Sequence, residues 1–195
     1  VPCSPFSIPI SSNSPVCFGT SIELTASGGI SYAWSGPNGY TSADQNSVIT
    51  NGMATSGGTY QVTVTDANNC SSSSSINVVV NNPPTATVAS NSPVCVGTSI
   101  ALTASGGNSY TWSGPNGYTS IDQNPIITNV QTTSSGTYQV TVTDAQSCTN
   151  TASILVSVLP KPFAIISSNS PVCIGSDLRL QLSGGISYLW SGPLN

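Results

Sequence analysis

Histidine is missing altogether from this 195-residue chain, there is one methionine, and charged residues make up only 4% of it. Without an imidazole, Ser-His-Asp and Cys-His nucleophilic pairs are excluded, and carboxylates remain as the only acid–base groups. The six cysteines show no Cys-x-x-Cys clustering, so a zinc site is not expected. Lys161 and Arg179 are the only basic residues, too few for the footprint that neutralises nucleic-acid phosphates. No apolar run has the length of a membrane-spanning helix, so no membrane insertion of this segment is expected. A convincing helical period is also absent. Disorder fits poorly, because the 37% hydrophobic content lies in alternating runs that can build a core.

What is present is a repeat. SNSPVCFGTSIELTASGGISYAWSGPNGY, from Ser12 to Tyr40, returns from Ser90 as SNSPVCVGTSIALTASGGNSYTWSGPNGY. A third copy begins at Ser168 as SNSPVCIGSDLRLQLSGGISYLWSGP. Cys17, Cys95 and Cys173 are spaced by 78 residues, as are Trp34, Trp112 and Trp190. Cys70 and Cys148 keep the same spacing. That period is too long for a solenoid and suits a small all-β domain used in tandem. The expected division is 1–81, 82–160 and an incomplete third repeat over 161–195, with the proline pairs Pro83-Pro84 and Pro160/Pro162 as short stiff joints. The sequence opens on Val1, which raises the expectation of a removed signal segment or of a longer parent chain.

Within the first repeat, Ser21–Ser27 alternates Ile22, Leu24 and Ala26 with polar neighbours, the period of a strand with one buried face. Gly28-Gly29 breaks it, and Ser31–Ser35 forms a second strand bearing Tyr32 and Trp34. Pro37-Asn38-Gly39 turns the chain, since Asn-Gly readily adopts positive φ. Tyr40–Ser42 and Ser47–Thr50 read as weak strands, Gly58–Asp66 as the strongest, and Ser74–Val80 as the last. Residues 6–11 align with a first strand, where Pro9 is acceptable only at a sheet edge. About seven short strands with frequent turn signals describe a β-sandwich. Its core is expected to contain Trp34, Tyr60, Trp112, Tyr138 and Trp190.

A tryptophan on the third strand and Gly-Thr-Tyr opening the penultimate one match the layout of immunoglobulin-like sandwiches. The combination SPVCxGTSIxLTASGG, YxWSGPNGYTS and GTYQVTVTDAxxC resembles the Ig-like and PKD-like repeats of very large Bacteroidetes surface proteins. Gliding-motility adhesins and other products of the type IX secretion system are among these. The resemblance implies tandem immunoglobulin-like domains, an extracellular or cell-surface location and no catalytic residues. It also implies a structural or adhesive role in a filament or giant adhesin, with neighbouring Ig-like domains, identical subunits of a fibre or surface glycans as partners. A second reading stays open: a carbohydrate- or ligand-binding array attached to a larger secreted enzyme. An exposed aromatic row on one sheet would favour that reading, and aromatics confined to the core the structural one.

Neither an enzyme nor a cofactor is expected within these residues. Asp44 and Asp66 recur as Asp122 and Asp144, which fits turn-capping carboxylates better than a duplicated active site. The acidic residues are too sparse for a calcium cage. Gly28-Gly29 and Ser35–Gly39 lack the lysine and following helix of a phosphate loop and read as turns. Ser71–Ser75 is a solvated edge or a glycan region, and Asn69-Cys70-Ser71 fits a glycosylation pattern formally.

Cys3, Cys17, Cys70, Cys95, Cys148 and Cys173 are expected to form disulfides in an oxidising compartment. The immediate pairing is Cys17–Cys70 within a repeat. In an Ig-like topology, however, those cysteines lie at opposite ends of an eight-residue strand, on the order of 25 Å apart. A disulfide tolerates Cα atoms only about 4.4–6.8 Å apart. Head-to-tail stacking instead predicts Cys3–Cys70 and Cys17–Cys148, with Cys95 and Cys173 bonded further along the array or in another chain. The third repeat supplies about three strands, which leaves an apolar face to be completed by further chain or by strand addition from a neighbour.

Overall fold

In the computed structural model, residues 3–4 and 6–192 are described. The first strand of the chain, β1 (Ile10–Ser12), is short because Pro9 precedes it rather than lying inside it; the Pro9 carbonyl still accepts the Ser27 amide. Then come β2 (Val16–Cys17), β3 (Ile22–Ala26), β4 (Ser31–Gly36), β5 (Tyr40–Ser42) and β6 (Asn46–Ile49). They are followed by β7 (Gly58–Thr65), β8 (Ser71–Val78) and β9 (Val80–Asn81). One sheet has the order β1-β3-β6 and the facing sheet β5-β4-β7-β8, all antiparallel. At the margin, β2 runs parallel to β9, pairing Val16 with Val80 and Cys17 with Asn81. This is an all-β, immunoglobulin-like sandwich.

Alternation decides which side chains meet between the sheets. Ile22, Leu24 and Ala26 of β3 face Tyr60, Val62 and Val64 of β7, with Ile8, Val16, Trp34 and Val78 completing the buried cluster. The centre is therefore apolar packing, as expected from cysteines placed in loops. The Trp34 indole is buried with its one donor satisfied, since Nε1–H donates to the Asp44 carbonyl at 2.9 Å. Tyr60 donates its hydroxyl back to the Ser56 carbonyl at 2.8 Å, the tyrosine corner of such sandwiches. Its ring lies edge-on to Tyr40, with centroids 5.5 Å apart. It also covers Gly36, where an added Cβ would sit 2.4 Å from the ring. The Ser-Gly-Pro of the repeat is thus a space requirement of the core tyrosine.

The second sandwich repeats this plan with β10 (Thr87–Ser90), β11 (Val94–Cys95), β12 (Ile100–Ser105), β13 (Ser109–Gly114) and β14 (Tyr118–Ser120). It continues through β15 (Ile126–Ile127), β16 (Gly136–Thr143), β17 (Thr149–Val156) and β18 (Val158–Leu159). Trp112 and Tyr138 take the places of Trp34 and Tyr60, and Trp112 donates to the Asp122 carbonyl at 3.0 Å. One strand differs. β15 has two residues where β6 has four, because Pro125 stands where the first repeat has Ser47. Its carbonyl still accepts the Leu102 amide at 3.0 Å, but proline has no N–H to return.

Among the described residues of the third repeat, only β19 (Ile165–Ser168) and β20 (Leu180–Ser183) form, pairing antiparallel. Here the expectation for Trp190 needs correction. It is 45% exposed, against 0% for Trp112, and Leu180 is 49% exposed, against 1% for Leu102. Its intended cover is a strand of the β16 type, and the described residues contain none for this repeat.

Candidate functional site

The cysteines sit at the ends of the sandwiches. Cys17 closes β2, where its carbonyl accepts both the amide and the hydroxyl of Thr20, at 3.0 and 2.7 Å. At the opposite end, Cys70 and Cys148 follow the eight-residue strands β7 and β16 through an aspartate-led turn. The Asp66 Oδ1 accepts the amides of Asn68 and Cys70 at 2.8 and 2.9 Å. In the second sandwich, Asp144 Oδ1 accepts those of Gln146 and Cys148, both at 2.9 Å. The Cys70 amide holds the Asp66 carboxyl below its ordinary value, against the opposing effect of desolvation and with further help from Asn68. These aspartates present cysteines, which gives the repeated carboxylates a structural task.

Both expected pairs are bonded. Cys3 is joined to Cys70 with Cα atoms 5.4 Å apart, inside the first sandwich. Cys17 is joined to Cys148 at 5.5 Å, and this bridge links the first sandwich to the second. Cys95 and Cys173 are exposed free thiols.

The remaining candidates resolve into packing and turns. Asn38 and Gly39 have φ of 56° and 73°, and the Asn38 side chain donates to the Thr55 carbonyl at 2.8 Å. Asp44 accepts the Ser42 hydroxyl at 3.1 Å, and its amide donates back to that oxygen. Ser71 and Ser73 lie along the edge strand β8 and pair with the hydroxyls of Thr65 and Thr63, at 2.9 and 3.0 Å. Among the described residues no group of three or more His, Cys, Asp or Glu could hold a metal ion, and no helix is long and apolar enough to cross a membrane.

Aromatic placement bears on the two functional readings. In the two complete sandwiches Trp34, Tyr60, Tyr110, Trp112 and Tyr138 are buried, and among the described residues of those two sandwiches Phe18 is the one aromatic largely exposed. A platform row is therefore not formed there. In the third repeat Phe163, Tyr188 and Trp190 are exposed, and Trp190 and Tyr188 line an open groove of about 510 Å³ with Ile165, Leu180 and Leu182.

Sequence reasoning missed the β2–β9 pairing and the cis peptide bonds at Ser14–Pro15, Ser92–Pro93 and Ser170–Pro171. The recurring Ser-Pro-Val-Cys was the only available signal, and two-residue strands leave no period to read.

No curated protein matches the chain. Among solved structures, murine CEACAM1b is 13% identical, with a TM-score of 0.38, over 78% of this chain and 100% of that one. An amphioxus IgVJ-C2 molecule is 21% identical, with a TM-score of 0.35, over 72% and 97%. Three N-terminal domains of the bacteriophage RB49 outer capsid protein Hoc are 18% identical, with a TM-score of 0.42, over 91% and 67%. The family model of the PKD domain matches residues 2–81. That match covers the first sandwich, and the second sandwich repeats its strand plan 78 residues on.

Proposed function

We propose that this chain is a structural and adhesive segment of an extracellular filament or giant cell-surface adhesin, divided into repeats at 1–81, 82–160 and 161–195. The observation that carries the reading is the Cys17–Cys148 bridge, which ties one repeat covalently to the next. A ligand-binding module needs only its own fold, whereas a bond between repeats serves a load or a fixed spacing along an array. Disulfides of this kind persist in oxidising surroundings, which supports a location outside the cytoplasm. The buried aromatics of the complete sandwiches weigh against a carbohydrate platform, because sugars stack on exposed rings. Partners are then neighbouring repeats or like subunits. Negative-stain microscopy of native material tests this: the reading expects thin rods or filaments, and globular particles carrying a short appendage would sink it.

A further inference from the structure

The edge strand β8 lies open where its counterpart β17 is blunted, and one residue makes the difference. The outward side of β8 is fixed at its end: the Val79 amide donates to Ser14 Oγ at 2.8 Å, and the Val79 carbonyl accepts the Val16 amide at 3.0 Å, both away from β7. The register with β7 runs without a bulge from Val78 back to Ser71, so the backbone groups of Ser73, Ser75 and Asn77 point to the same side. Among the described residues nothing takes up those three amides. In the second sandwich Ser157 marks the outward side by the same contacts, with Ser92 Oγ and the Val94 amide. On that side the amide of Thr151, the counterpart of Ser73, is taken by Asn150 Oδ1 at 2.8 Å. Asn150 is itself anchored through Nδ2 on the Pro84 carbonyl at 2.9 Å. In the first sandwich Ser72 stands at that position. Its hydroxyl keeps the anchor, donating to the Phe6 carbonyl at 3.0 Å, but leaves the Ser73 amide uncapped. Edge strands are ordinarily protected by charge, proline or a bulge, and the Ser-Ser-Ser-Ser-Ser-Ile-Asn-Val of β8 has none of these.

We propose that β8 is a docking edge for a second copy of this chain: two β8 strands pair antiparallel about Ser75 and join two four-stranded sheets into one. Ser75 then faces its own counterpart, and Ser73 faces the partner's Asn77, each pair exchanging backbone hydrogen bonds. Side-chain chemistry selects a second copy over a foreign peptide. Strand addition draws affinity from the main chain and specificity from side chains at alternate positions. Here those positions are Ser73, Ser75 and Asn77, set beside Thr63, Gln61 and Thr59, all small or uncharged, with nothing to read a foreign sequence. None of the six acidic or two basic residues lies on β8, so two copies meet without like charges opposed. The strand that matches this edge in length, size and charge is β8 itself. Because β17 carries its cap, association through these edges stops at a pair and does not run on as a ribbon. The proposal rests on the structural reading only for its class of partner. Filaments joined end to end with β8 left single would sink it and keep that reading.

The experiment uses the whole 195-residue chain with Cys95 and Cys173 alkylated, so that no link between copies is covalent. Sedimentation velocity between about 1 μM and 1 mM is expected to show monomer and dimer in equilibrium and nothing larger. Hydrogen exchange at Ser73, Ser75 and Asn77 should slow as concentration rises, while exchange at Ser153 and Leu155, on the matching side of β17, stays constant. Ser72→Asn transfers the cap of the second sandwich to the first. It should weaken dimerisation by roughly 10- to 100-fold, the loss of two hydrogen bonds between strands. Ser75→Lys and Ser75→Glu each place like charges opposite one another and should each favour the monomer, and mixing the two variants should restore the dimer. That restoration separates lost pairing from lost folding. A chain that stays monomeric across this range would overturn the proposal. So would a dimer that Ser72→Asn and Ser75→Lys leave unchanged, because another surface would then hold it.

Discussion

Trp34, Trp112 and Trp190 occupy one position of the repeat and meet two different fates only because of what lies opposite. Trp34 and Trp112 sit between two sheets, with the indole donor taken up by an aspartate carbonyl. Trp112→Ala should lower the unfolding free energy of its sandwich by about 3–5 kcal/mol, the range for deleting a large aromatic from a packed core. Trp190→Ala should leave both complete sandwiches unchanged. Urea unfolding followed by far-ultraviolet circular dichroism measures both, and equal effects would contradict the burial described. The carboxylate of Asp66 provides a second, pH-dependent case. Its amide hydrogen bonds favour the charged form, so its pKa is lowered on folding. Their contribution is complete above the unfolded carboxylate range, about 3.9, and fades as pH falls through the lower folded value. Asp66→Asn should therefore melt below the parent at pH 6, with the gap closing as the pH falls below the unfolded carboxylate range. A gap independent of pH would assign the turn to geometry alone.

Strands show where sequence was legible and where it was not. β3 and β7 could be read directly, because five and eight residues of alternation leave no doubt about the buried face. The β2–β9 ladder could not, since two residues carry no period and its parallel register is set by where the sandwich brings the ends together. The cysteine pairing was legible only after the topology was, as nothing local to Cys17 names Cys148. Pro125 is a middle case: its presence was visible, but its effect required knowing that Leu102 lies opposite. Pro125→Ser should restore an N–H facing β12. The new hydrogen bond adds about 1 kcal/mol, and the freer unfolded chain offsets it by about 0.4–1 kcal/mol. The expected result is a melting temperature that barely moves and a newly protected amide at residue 125 by hydrogen exchange. A large stabilisation would show that proline was straining the strand, not merely shortening it.

At the scale of the whole molecule, the Cys17–Cys148 bond joins positions 131 residues apart in sequence. Pulled from its two ends, the oxidised chain transmits tension across that bond, so nearly all of both sandwiches lies outside the force path. Fully stretched polypeptide spans at most about 3.3–3.6 Å per residue, which places roughly 430–470 Å of contour beyond reach. Single-molecule stretching should then lengthen the oxidised molecule by no more than the short stretches outside the bridge, which carry β1, β17 and β18, until reductant is added, when the enclosed length is released. An oxidised molecule that lengthens by a full sandwich under tension would mean the bridge is not on the shortest path. An array linked in this manner at each junction would carry load through its sulfur bonds and short connecting segments, and its folded domains would serve to hold those bonds apart at a fixed spacing.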